Sequence, residues 1–260
     1  MVRGLDVFRE RFRAYEGAFV LIGGAACDAW FTRQGLAFRA TKDLDIVLVI
    51  EILDPAFVAA LRQFIDDGQY QIRHYTEGGP PVLYRFAKPA DQSFPQMLEL
   101  FSKKPETIDL SEGQQIVPVA AGEDTHSLSA ILLNQEYYAL IQSHSEQVDG
   151  LAFATATALI PLKARAWLDL TARKQAGDKV DADDINKHRT DVFRLAATLA
   201  AEPGPELPQP IRDDLTAFLV EFPDTSAEWS AILASLKAIF GGGLKPATLI
   251  STLKTFFHLP

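Results

Sequence analysis

The hydrophobic pattern of this 260-residue chain changes period near residue 120, and that change limits the fold more than any other feature. Before it, apolar runs of strand length alternate with turn signals. Phe19-Val20-Leu21-Ile22 stops at Gly23-Gly24, and Ile46-Val47-Leu48-Val49-Ile50 is a continuous apolar run. Residues 71–75 and 82–86 flank Gly78-Gly79-Pro80-Pro81 and read as neighbouring strands joined by a long turn. Residues 97–101 form a fifth run and 116–119 a short sixth, placed at an edge by Pro118. Helices are predicted between them, over 6–15, 25–34 and 54–66, the last with Asp54 as N-cap and Pro55 at its first position. After Thr125 the spacing predicts helices over 127–143, 161–174, 183–201, 211–221, 226–240 and 246–258, broken by the proline-rich stretch 203–210. The expectation is an α/β domain over 1–122 followed by a helical domain over 123–260.

Composition removes several classes. The single cysteine, Cys27, allows no intrachain disulfide, and no Cys/His cluster has zinc spacing. No apolar run reaches the ~18 residues of a transmembrane helix, and the charged N-terminus is no signal peptide. A soluble, cytoplasmic chain without a membrane role is expected. The balance of 25 Lys+Arg against 34 Asp+Glu, net −9, argues against coating nucleic acid by bulk charge. Residues 161–194 nevertheless carry eight Lys+Arg and six acids, so a single RNA end beside this segment stays open.

The chemistry-bearing stretch is the strand–Gly-Gly–helix at 19–34 followed by Asp43-Leu44-Asp45 at the mouth of a buried strand. Glycine permits close backbone approach, and a helix start offers N–H groups to a phosphate. Residues i and i+2 of a strand face the same way, so Asp43 and Asp45 project together as a carboxylate pair suited to Mg²⁺. Acidic i,i+2 pairs also arise by chance, as Asp181-Ala182-Asp183 illustrates; the preceding strand–Gly-Gly–helix sets this one apart. Glu99 lies between Leu98 and Leu100, and its side chain faces away from theirs. It is either a third carboxylate of the site or an outward residue on a half-exposed strand.

In the helical half, Lys163 falls between Ala166, Trp167 and Leu170 on an apolar stripe, where an ammonium is costly without an anionic partner. Its alternatives are a phosphate-binding lysine or a stem that covers apolar surface while its head reaches water. On the helix from 183, Asp184, His188 and Asp191 follow one edge of the stripe, with Lys187 and Arg194 placed on a solvated far side. Asp184 suits the first turn, whereas mid-helix Asp191 has no such explanation.

The segments LIGGAACDAW, RATKDLDIVL, SLSAILLNQEYY, LIPLKARAWLDL and DADDINKHRTDVFRLA, across roughly 15–200, resemble the predicted nucleotidyltransferases of the AbiEii/AbiGii toxin type. The first two blocks are shared by a wide superfamily with a G-[GS]…D-x-[DE] signature, and the last two are specific to this branch. Gly24 stands where the superfamily often has serine. The resemblance implies an α+β chain: a nucleotidyltransferase-fold mixed β-sheet domain, then an α-helical domain, with the site in the cleft between them. It implies a Mg²⁺-dependent transfer (two ions) of an NMP from an NTP to a hydroxyl, the 3′ end of RNA or tRNA foremost, by the toxin of a toxin–antitoxin pair. By position, Asp43, Asp45 and Glu99 would hold metal, and Gly23, Gly24, Thr41 and Lys163 would bind nucleotide. Asp43, Asp45, Lys163 and Asp191 would be catalytic, Asp191 orienting or deprotonating the acceptor, with Asp184 the alternative for that last place. A different class remains beside it: a degenerate transferase fold serving as a nucleotide-binding or protein-interaction module.

Overall fold

The computed structural model describes residues 2–74, 81–104, 116–118 and 129–260. The chain is α+β and divides into two compact units, Met1–Thr155 and Ala156–Pro260. The boundary expected at 122/123 lies outside the described residues, and the division falls later.

The first unit is a mixed sheet with helices. Its described strands are β1 (Phe19–Ile22), β2 (Asp43–Leu48), β3 (Gln71–His74), β4 (Pro81–Ala87), β5 (Met97–Ser102), β6 (Ile116–Pro118), β7 (Ser129–Leu132), β8 (Ser145–Val148) and β9 (Leu151–Ala154). They run in the order β3-β4-β5-β2-β1-β9-β8. β2 and β5 pair in parallel, Asp43 opposite Met97 through Val47 opposite Phe101. β1 pairs antiparallel with β2 and in parallel with β9. The far edge of β5 is shared: β4 takes residues 97–99 antiparallel, and β7 takes Phe101 and Ser102 in parallel. β6 pairs with β7.

One sheet face is apolar because alternate residues of its strands are. Leu44, Ile46, Leu48, Leu98 and Leu100 are fully buried there, with Phe86 beside them. On β1 the same parity gives Phe19, whose ring meets Phe8 and Phe12 of α1 (Leu5–Phe12) and Phe57 of α3 (Pro55–Asp67), with Phe64 of α3 completing the cluster at centroid separations of 4.4 to 6.0 Å. Asp54 caps α3 as expected, its Oδ1 accepting from Phe57 N–H at 2.6 Å. The predicted turn at 78–81 falls largely outside the described residues, but the strands it joins do pair, Gln71 opposite Ala87.

The region from 127 to 154 departs from expectation. Of the single helix predicted over 127–143, the described part from residue 129 is a strand, β7, then α4 (Gln135–Ser143), because Asn134 accepts a hydrogen bond from Tyr137 N–H at 2.9 Å and starts the helix there. β8 and β9 then form a hairpin around Asp149-Gly150, both at positive φ (50° and 77°). Asp-Gly is a strong two-residue hairpin signal, overlooked among helical neighbours.

α4 is tied to the sheet by Tyr138. Its hydroxyl donates to Glu51 Oε2 at 2.6 Å and accepts from Ile50 N–H at 3.1 Å. Lys103 Nζ lies 2.5 Å from Glu51 Oε1 and 5.3 Å from the centre of the Tyr138 ring. Burial pushes the Glu51 carboxyl up, but hydrogen bonds from Lys103 and Tyr138 outweigh it and hold the group below its ordinary range.

The second unit holds α5 (Ala156–Gln175), α6 (Ala182–Ala196), α7 (Gln209–Val220), α8 (Trp229–Phe240) and α9 (Pro246–Phe256). α5 starts five residues before the predicted Pro161. The turn ahead of that proline buries Ala156, Ala158, Leu159 and Ile160, and this packing offsets the backbone hydrogen bond a proline forgoes. Trp167, Phe193, Phe218, Phe222 and Trp229 form the core, Phe193 and Trp229 at 4.6 Å between ring centres. Among the described residues, no helix is long and apolar enough to cross a membrane.

A lowered carboxyl pKa contributes stability above the unfolded value, and that contribution is lost as pH falls through the folded one. Stability should therefore fall on acidification below about pH 5, and Glu51→Gln should flatten that fall in urea melts taken across the acid range. An unchanged slope would remove Glu51 from the acid response.

Candidate active site

The sheet face opposite the leucines carries the predicted carboxylates. Strand alternation puts Asp43 and Asp45 on it, and both are half-buried while Leu44 and Ile46 are fully buried. Asp45 is opposite Glu99 on β5 and opposite Ile22 at the end of β1. Glu99 is in turn opposite Arg85 on β4. Side chains directly opposed in a ladder share a face. One row of that face therefore reads Arg85, Glu99, Asp45, Ile22, with Asp43 one step along β2.

The glycine pair has a local reason. α2 (Gly23–Arg33) begins at Gly23 itself, two residues before the predicted start, and Gly23 has φ +62°. A Cβ there would sit 2.7 Å from Asp45 Cγ, so the Asp45 carboxylate lies directly against the turn that opens the helix. A Cβ at Gly24 would sit 2.9 Å from Thr41 Cβ and nearer still to the Thr41 hydroxyl. Gly23, Gly24, Thr41 and Asp45 are thus one packed group, each glycine leaving the space that one polar side chain fills. A serine Cβ at position 24 would displace Thr41. Negative charge at a helix start is favourable, and the Asp45 carboxylate lies beside one.

Glu99 faces the site side as expected, but it is not presented alone. Arg85 Nε and Nη2 both converge on Glu99 Oε1, and the carboxylate side chain is 13% exposed against 40% for Arg85. Arg85 was overlooked in the sequence; the available signal was a lone cation at an alternating position of an apolar strand. Among the described residues, no group of three or more His, Cys, Asp or Glu is gathered closely enough to hold a metal. Mg²⁺ does not require one. It is commonly held by one or two carboxylates, with water and substrate phosphates completing the shell. The hard oxygen donors of Asp43 and Asp45 suit that demand.

In the second unit, Lys163 and Asp191 meet. Lys163 Nζ is 3.4 Å from Asp191 Oδ2, and Arg194 Nη1 donates to Asp191 Oδ1 at 2.9 Å. Asp191 is fully buried, and the side chains of Lys163 and Arg194 are 8% and 13% exposed. The anionic partner that Lys163 needed is the other predicted residue of this half. Arg194, expected in solvent, is instead drawn in by Asp191 and Ser235. Asp184 is half-exposed and paired with Lys187 at 2.9 Å. Of the eight cations over 161–194, six form ion pairs inside this unit: Lys163, Arg165, Arg173, Lys187, Arg189 and Arg194. The local positive excess is therefore largely neutralised where it stands.

Comparison of the chain with protein-family models, with curated proteins and with solved structures found no match.

Removing the carboxylate from a buried pair strands its partners. Asp191→Ala should cost about 3–5 kcal/mol, because two buried cations lose their shared anion. Asp184→Ala should cost under about 1 kcal/mol. Urea unfolding of the two variants would separate them, and equal costs would mean that burial does not distinguish the two aspartates.

Proposed function

We propose that the chain is a nucleotidyltransferase that passes a nucleoside monophosphate from an NTP to a hydroxyl. The observation that carries the reading is the pairing of Asp43 and Asp45 on one half-buried sheet face, with Asp45 against the glycine turn that opens α2. Asp43 and Asp45 would hold Mg²⁺, which supplies charge stabilisation at the phosphates when bound. The acceptor oxygen forms a bond to the α-phosphorus as the bond to the bridging oxygen breaks. Pyrophosphate leaves with that electron pair, and the acceptor proton passes to water.

The chain's own residues have separable tasks. The backbone at Gly23-Gly24 faces the phosphates, and Thr41 holds the second glycine's side of the turn. A phosphate arriving there meets the charge of Asp45, which is why a cation is required for binding as well as for chemistry. A triphosphate role for Lys163 rests on the family resemblance alone. Asp191, with its oxygens on Lys163 and Arg194, serves by holding that ammonium in place. The acceptor is an RNA hydroxyl, the tRNA 3′ end first, and the biological setting is the toxin of a toxin–antitoxin pair with a protein antitoxin. These last assignments rest on the resemblance.

Glu99 favours a second reading. Its engagement with Arg85 leaves two carboxylates rather than three facing a cation, as in a fold that binds nucleotide without turning it over.

With each labelled NTP, Mg²⁺ and total RNA, the wild type should label RNA on a gel. Asp43→Asn and Asp45→Asn should each lower transfer by about a thousandfold or more while keeping the wild-type circular dichroism. Retained transfer in either variant would overturn the assignment. Nucleotide binding by calorimetry with no transfer to RNA, protein or small acceptors would favour the second reading.

A further inference from the structure

We infer that Arg85 is the residue that grips the phosphate tail of the nucleotide in the first unit, and that Glu99 is its positioning residue rather than a metal ligand. The inference rests on the nucleotidyltransferase reading and adds to it a residue that neither composition nor family resemblance singles out. Three observations support it.

The first is register. Arg85, Glu99 and Asp45 occupy consecutive strands of one row, so Arg85 stands two strand spacings from Asp45, roughly 10 Å, on the same face. A polyphosphate whose reacting end lies at the aspartate pair extends along such a row. The second is the guanidinium itself. Nε and Nη2 both point to Glu99 Oε1, which fixes the plane of the group from one edge and leaves Nη1 on the other. Arginine suits this task because its planar fork can hold a carboxylate on one side and a phosphate on the other. The third is exposure. At 40% the Arg85 side chain is open to a ligand, whereas Glu99 at 13% is enclosed beneath it. An enclosed carboxylate with a cation across one oxygen is placed to orient that cation. Lys163, by contrast, has its ammonium against the buried carboxylate of Asp191.

The test uses the full chain with Mg²⁺ and inorganic tripolyphosphate, which carries the phosphates without a base, beside each NTP and AMP. Arg85→Gln should weaken tripolyphosphate and NTP binding by roughly tenfold or more and leave AMP within about twofold of wild type. Arg85→Lys should recover part of the loss, since it restores charge without the fork. Glu99→Gln should weaken tripolyphosphate less than Arg85→Gln does, because the guanidinium remains but loses its orientation. Thermal melts of all variants check that the fold is kept.

If Arg85→Gln binds tripolyphosphate like the wild type while Asp45→Asn does not, the inference about Arg85 falls and the nucleotidyltransferase reading stands. Equal losses for AMP and tripolyphosphate would also overturn it, as would an Arg85→Gln variant that keeps its nucleotide affinity and loses only RNA. A wild type that binds neither tripolyphosphate nor any NTP overturns both.

Discussion

The pairing of β2 with β5 is the constraint from which the candidate site follows. These parallel strands are held in one register by their leucine face, where Leu44 and Leu98 are opposed and fully buried. A slip of one residue would turn those leucines to the half-exposed side and send the carboxylates into the aromatic cluster beneath the sheet. The burial of the apolar face therefore places Asp45 beside Glu99, and β4 adds Arg85 to the row by the same alternation. The polar arrangement inherits its order from the packing on the other side.

The second unit solves a different problem. Its buried charges need company, and Lys163, Asp191 and Arg194 provide it for one another across α5 and α6. A buried ion pair adds little net stability, because desolvation offsets most of the attraction. Its value lies in what it forbids: Asp191 cannot be removed without leaving two buried cations without their shared anion. The two site residues predicted in this half are thus first of all each other's counterions.

Much of this was legible in the residues. The strand at 19–22, the strands expected over 46–50 and 97–101 and found over 43–48 and 97–102, the cap at Asp54, and the helices after the proline-rich break follow from period and turn chemistry. The shared face of Asp43 and Asp45 follows from strand alternation alone. The cost of an unpaired Lys163 was also visible, although its partner, 28 positions later, was not, since that pairing is made by helix packing. Arg85 escaped because cross-strand register is a property of two strands, and neither one declares it. The strands at 129–132, 145–148 and 151–154 escaped because runs of four residues fit either period, and their surroundings read as helix. Asp149-Gly150 was the one local signal against that reading.

The pairing of β1 with β9 has a consequence for how the chain is made. β1 lies between β2 and β9, with Leu21 opposite Phe153. β1 thus waits for β9, more than a hundred residues later in the chain, before both of its edges are covered. Through most of translation its outer edge, with a four-residue run of buried side chains, is open to any other extended chain. Closing so long a loop is slow compared with forming the hairpin that delivers β9. The Asp149-Gly150 turn shortens the delay by presenting β8 and β9 to that edge as a finished pair. The ribosome must therefore have moved past residue 154 before β1 has a partner on both edges.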